Sequence, residues 1–319
     1  MYFATAGIEV SPLVPPLVAM GISFFTSMAG VSGAFLLLPF QMSFLGFTNP
    51  SVSSTNQLFN IVAIPSGVYR YLREGRMVWP LTWAVIIGTL PGVLFGAWVR
   101  VAYLPDARQF KLFAAAVLGY IGFRMVRDLL TRNKTGQGKA EAEKRFQALV
   151  REHRRRAAQA TQSGGEPLPA VRVLRFDASR IAYEFYGETY DVSTAGIFSL
   201  SLVVGIVGGV YGIGGGAIIA PFFVSIYGLP VYTVAGAALM GTFVTSIAGV
   251  TFYQAIAPFY PNMSVAPDWL LGLLFGLGGM MGMYLGARCQ KFVPARVIKW
   301  MLAAVIAYTA GSYVLEFLR

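Results

Sequence analysis

Charge is scarce in this chain: 12% of its 319 residues are Asp, Glu, Lys or Arg, against about 25% in an ordinary soluble domain. The single cysteine, Cys289, excludes an internal disulfide and any cysteine-cluster metal site. The single histidine, His153, stands among basic neighbours with no second ligand or carboxylate beside it. Outside residues 132–191 the acids are Glu9, Glu74, Asp106, Asp128, Asp268 and Glu316, each near an expected helix end. No Asp, Glu, His or Lys falls in the middle of an apolar span, so a carboxylate proton relay has no carrier. Grouped metal ligands and paired carboxylates are missing too, so neither enzyme chemistry nor a metal or other cofactor is expected. No Lys or Arg precedes Arg70, which argues against a secretory signal peptide with a charged start.

What fills the chain is apolar. Hydrophobic residues make up 56% and the mean hydropathy is +0.61. Two apolar blocks, 13–130 and 195–317, flank a polar middle and are interrupted at spacings suited to membrane helices of about 20 residues. The net charge of +11 is concentrated: twelve Lys and Arg lie within 132–180, and the rest sit mainly at expected helix ends. That is the pattern of cytoplasmic loops, reinforced by attraction to anionic lipid at a basic face, and it argues against nucleic acid as the partner. Placing the N-terminus outside puts Arg70, Arg73, Arg76, the basic middle, Arg288, Lys291 and Arg296 inside. Arg100, Arg108 and Lys111 dissent, falling on the outer side.

The two blocks are copies. With one offset of 182 and no gaps, residues 30–71 lie over 212–253 with eleven identities. They are Gly30/Gly212, Gly33/Gly215, Pro39/Pro221, Phe40/Phe222, Ser43/Ser225, Gly46/Gly228, Val52/Val234, Val62/Val244, Gly67/Gly249, Val68/Val250 and Tyr71/Tyr253. Four glycine pairs and a proline pair exceed what shared hydrophobicity supplies. Five apolar elements are expected in each copy: 13–29, 34–46, 51–72, 80–101 and 107–130, then 195–211, 216–228, 233–255, 267–287 and 295–317. The second of each set is too short to span comfortably. An odd number of elements per copy inverts one half relative to the other, and inverted repeats with interrupted helices are a transporter architecture.

The expected fold is therefore an all-α polytopic membrane protein. It has two inverted repeats of about five helical elements each, with short broken helices, plus a small cytoplasmic α+β insertion. The expected domains are 1–131, 132–192 and 193–319. Within the insertion, 139–162 reads as a basic amphipathic helix, and 171–177, 180–186 and 188–192 alternate like short strands. A regulatory cap and a merely solvated insertion are both consistent with it.

The candidate site follows from the breaks. A short helix starting at a glycine cluster within the bilayer leaves its first N–H groups without intrahelical partners. Such a break survives only where protein or a wet cavity surrounds it. Free N–H groups and the positive helix end attract an anion, which points to Ser32, Gly33 and Ala34 in one half and Gly214, Gly215 and Gly216 in the other. Close helix packing is the competing use of such glycines. The following helix opens Ser51, Ser53, Ser54, Thr55, Asn56, Gln57, with Asn60 one turn beyond Asn56. Asn and Gln amides donate two N–H bonds each, suiting sulfonate, sulfite or carboxylate oxygens, though helix–helix hydrogen bonding would use them equally well. In the second copy Asn56 maps to Ala238, Asn60 to Thr242 and Ala63 to Thr245, so unequal contributions from the halves are expected. A nucleotide-binding phosphate loop is excluded: no strand precedes Gly212 and no Gly-Lys-Ser/Thr follows it.

These paired breaks with a following proline, together with the run Ser54-Thr55-Asn56-Gln57-Leu58-Phe59-Asn60-Ile61-Val62-Ala63-Ile64-Pro65-Ser66-Gly67-Val68-Tyr69-Arg70-Tyr71, resemble the TauE/SafE sulfite exporter family. The likeness covers both apolar blocks. It implies a multi-pass carrier in the plasma membrane (the bacterial inner membrane) for a small sulfur-containing anion such as sulfite or an organosulfonate, generally moved outward. It further implies that Ser32, Gly33, Gly214, Gly215 and Gly216 lie at the anion site, with Asn56, Gln57 and Thr242 on adjoining helices. The likeness sets no oligomeric state. Two other functions fit the same residues: an anion channel using the helix ends as a filter, and a membrane anion sensor signalling through the insertion.

Overall fold

A computed structural model describes residues 1–29, 32–73, 77–127, 129–130, 171–289 and 295–318. Gly30 and Val31 of the first break, the expected basic helix at 139–162 with His153, and the loop charges Arg76, Asp128 and Lys291 lie outside the described residues. Helices run Val14–Ala29 (α1), Ala34–Ser43 (α2), Ser51–Ala63 (α3), Pro65–Arg73 (α4), Trp79–Ala102 (α5) and Ala107–Arg127 (α6). After the insertion come Thr194–Tyr211 (α7), Ala220–Tyr227 (α8), Val231–Ile256 (α9), Trp269–Cys289 (α10) and Ala295–Leu318 (α11). Six of the described helices are long and apolar enough to cross a membrane. The protein is a multi-pass membrane protein.

Two expected elements are shaped differently. The third element of the first half, expected unbroken over 51–72, divides at Pro65, which has no N–H to continue the ladder. The short element of the second half begins at Ala220, four residues later than the expected 216, because residues 215–219 form turns. Helix ends elsewhere follow local chemistry. Ser193 Oγ caps α7 by accepting the Gly196 N–H at 3.3 Å. Asp106 Oδ1 accepts the N–H groups of Arg108 and Gln109 at 2.9 and 3.0 Å at the start of α6.

Two glycine seams join the halves. A methyl group at Gly92 or Gly96 of α5 would strike backbone of α7 at Leu202–Val210, and one at Gly205 or Gly209 of α7 would strike backbone of α5 at Thr89 and Val93. In the same way Gly278, Gly282 and Gly286 of α10 lie on the carbonyls of Pro16, Met20 and Phe24 of α1. Along both seams the contacts advance in the same direction on both helices, so each pair is parallel. The fourth of the expected elements in either half, α5 or α10, thus rests on the first helix of the other. Small residues let the backbones meet, which is how apolar helices gain contact in lipid, where burial from water drives nothing.

A small antiparallel sheet precedes each half. The hairpin Tyr2–Phe3 (β1) with Ile8–Glu9 (β2) places Phe3 and Ile8 in one core with Met42 and Phe47 beyond α2. The meander Val171–Phe176 (β3), Arg180–Phe185 (β4) and Glu188–Ser193 (β5) matches the three expected strands. Its Ile181, Tyr183, Phe185 and Val192 pack with Ile219, Phe223 and Leu229 around α8, and the Tyr183 hydroxyl donates to Thr233 Oγ1 at 3.0 Å. This part of the insertion is therefore bound to the second short helix rather than solvated all round.

Gly92→Val should disrupt the α5–α7 seam and lower stability by about 1–3 kcal/mol or more, read as a lower unfolding midpoint of detergent-purified protein. Gly119→Ala, where a methyl group meets nothing within 4 Å, should leave the midpoint unchanged.

Candidate functional site

The second break is built by glycine backbone. α7 ends at Tyr211, and Gly212 and Gly214 take φ of +85° and +78°, a left-handed region that side chains rarely enter. The chain turns back on itself there. Gly212 and Ile213 N–H both donate to the Gly208 carbonyl, at 2.9 and 3.0 Å. The carbonyls of Gly212 and Ile213 are left to side chains. Asn56 Nδ2 donates to Gly212 O at 3.1 Å, and Asn60 Nδ2 donates to Ile213 O at 2.9 Å.

The same Asn56 amide reaches the first break, donating to Ala34 O at the start of α2 at 3.0 Å. Gln41 Nε2 on α2 donates to Asn56 Oδ1 at 3.3 Å. One fully buried asparagine on α3 therefore ties the breaks of both halves together.

The remaining expected residues fall around this junction with one exception. Ser32 Oγ accepts the Ala34 N–H at 3.3 Å, closing the first turn of α2. A methyl group at Gly33 would lie 2.8 Å from Ser23 Oγ and 3.5 Å from the Phe59 ring. Gly214 and Gly216 lie against Thr242, and Gly214 also against Ser246. The Gly215 N–H donates to Thr245 Oγ1 at 3.0 Å, and Gly215 is pressed against Thr89 of α5. Gln57 is the exception. It is turned from the asparagine face onto Gly249 of α9, and neither polar atom of its buried amide has a partner.

Part of the polar inventory of the junction is engaged by the protein itself. Thr245 holds the Gly215 N–H, and the asparagine amides hold the break carbonyls.

Sequence reading missed several polar contributors. Ser23, Thr26, Gln41, Thr89 and Ser246 are all buried at or beside the junction. Ser23, Gln41 and Thr89 are single polar residues among apolar neighbours, and Thr26 and Ser246 adjoin one other hydroxyl residue, so spacing alone sets none of them apart. Arg100 is the larger correction. Read as a loop-edge charge on the outer side, it is fully buried on α5. Its Nε donates to Ser53 Oγ at 3.3 Å, its Nη1 to the Leu104 carbonyl, and its guanidinium lies 3.7 Å from the centre of the Phe110 ring.

A comparison with protein-family profiles matches the family described as Sulfite exporter TauE/SafE over residues 16–313. The chain belongs to that family. Searches of curated proteins and of solved structures each found no match. As a TauE/SafE member the protein is a membrane transporter and not an enzyme, and the family suggests a small sulfur-containing anion such as sulfite as its cargo. The match takes in both breaks, α3 and both glycine seams. Among the described residues no group of His, Cys, Asp or Glu is arranged to hold a metal ion.

Asn60→Ala should leave the Ile213 carbonyl without its amide donor and cost about 1–3 kcal/mol, measured as a lowered unfolding midpoint in detergent. Asn60→Gln, which keeps the amide, should lose less.

Proposed function

We propose that this protein carries sulfite or a small organosulfonate across the membrane by alternating access around the two glycine-bearing breaks. The observation that supports the reading best is the single Asn56 amide bonded to Ala34 of one half and Gly212 of the other. A junction built this way has to loosen when the halves move relative to each other. Loosening it frees amide donors and break N–H groups together, where the negative oxygens of the cargo can take them. Asn56, Asn60, Thr242, Thr245 and the backbone of Ser32–Ala34 and Gly214–Gly216 form the proposed site. Gln57, turned toward α9, contributes to helix packing in the closed state.

The halves are proposed to be inverted copies. Parallel pairing of α5 with α7 and of α1 with α10 fits exchange of equivalent helices between them. Rocking of one half on the other would then open the junction alternately to the two sides. The partition into 1–131, 132–192 and 193–319 follows. The basic insertion lies in the cytoplasm beside anionic lipid, and the N-terminus lies outside. The glycine seams supply the sliding surfaces, since they present backbone rather than interlocked side chains.

Radiolabelled sulfite and an organosulfonate, followed into proteoliposomes holding the full chain, test this. Saturable uptake accelerated by unlabelled anion on the opposite side is expected. Asn56→Ala and Gly215→Leu should each cut the rate at least about tenfold, the effect of losing some 1.4 kcal/mol, with far smaller losses in expression. Wild-type rates in both variants, with intact folding, would remove the site assignment.

A further inference from the structure

We infer that Arg100 is the cationic part of the anion site, its free Nη2 taking an oxygen of the bound sulfur oxyanion. This rests on the transport reading above. Arg100 is the one fully buried charge among the described residues. An ionisable side chain within membrane helices is costly and persists beside a partner or a pathway. No carboxylate among the described residues forms an ion pair with it. Asp106, whose field reaches the guanidinium, instead caps α6 through the N–H groups of Arg108 and Gln109.

The surroundings are half of an oxyanion site. Nε and Nη1 are held by Ser53 Oγ and the Leu104 carbonyl, and the Phe110 ring lies against the guanidinium. These contacts orient the planar fork and leave Nη2 buried with no acceptor. Ser53 Oγ also bonds Val210 O, and the Tyr253 hydroxyl bonds Gly209 O, each at 3.4 Å. Both carbonyls belong to the last turn of α7. Ser53 also touches the break directly: a methyl group at Gly212 would lie 2.6 Å from its Cα.

Arg100 thus reaches the second break through one residue, on the same helix that carries Asn56 and Asn60. A structural role, capping the last turn of α5, uses Nη1 alone. It explains neither the position beside the break nor the unmet Nη2. A small oxyanion supplies what is absent: a negative charge whose oxygens can accept from Nη2.

The test uses the purified full chain with sodium sulfite and sodium methanesulfonate, following affinity by calorimetric titration and flux in proteoliposomes. Arg100→Gln should weaken sulfite binding about 10- to 100-fold, the range for losing a hydrogen bond to a charged group, with an unfolding midpoint near that of wild type. Should Arg100→Gln fail to fold, Arg100→Lys decides. It keeps the charge without the fork, and should bind sulfite about 3- to 10-fold more weakly and discriminate less between sulfite and chloride. A folded Arg100→Gln, or failing that a folded Arg100→Lys, with wild-type affinity, selectivity and flux overturns this inference alone. A wild-type protein that neither binds nor moves either anion overturns the transport reading and this inference with it.

Discussion

Backbone polarity inside a bilayer is the constraint on which this fold turns. Lipid offers no hydrogen bonds, so a chain that stops and restarts within the membrane must satisfy every freed carbonyl and N–H internally. Here the breaks at 29–34 and 211–220 lie against each other rather than apart. Asparagine amides from one helix serve the carbonyls of both, and a threonine hydroxyl serves the Gly215 N–H. Part of the polar opening of α3 serves this purpose: Asn56 and Asn60 hold the break carbonyls, whereas Ser51, Ser54 and Thr55 bond residues 265–268 before α10. Ser51 through Gln57 and Asn60 are all buried, and of these the Gln57 amide alone has neither polar atom bonded.

The same constraint underlies the transport reading proposed above, in which the groups that satisfy the breaks here are the ones an oxyanion would recruit when the junction opens. The glycine seams between α5 and α7 and between α1 and α10 add the mechanical counterpart, holding the halves through smooth backbone contact. The sheets beneath the two short helices differ in size, so the halves are not equally restrained. The larger meander packs on α8 and is tied to α9 through Tyr183 and Thr233.

Much of this was legible along the chain. The offset of 182 located both breaks and the proline after each, and hydropathy marked out the ten elements, one of which the structure divides at Pro65. The resemblance carried by residues 54–71 pointed to the family that the profile match establishes. Asn56 and Asn60 were identifiable because amides one turn apart in an apolar span need partners. Gln57 belonged to the same run, yet its side chain lies about 100° around the helix from Asn56, and only the position of α9 shows what it meets. Arg100 was misread for a physical reason. Three residues from a helix end, an arginine ordinarily extends to the interface, whereas here Leu104, Phe110 and Ser53 hold it inward.

Composition, the internal repeat and the placement of glycine by themselves determined a membrane-spanning, duplicated chain interrupted twice, because hydropathy and backbone freedom are properties of residues in order. Tertiary structure alone decided that the two interruptions share one asparagine, that a threonine hydroxyl takes the Gly215 N–H, and that a buried guanidinium lies one residue from one of them. Those outcomes depend on which distant segments meet, and hydrogen-bond partners 153 or 156 residues apart leave no trace in local pattern.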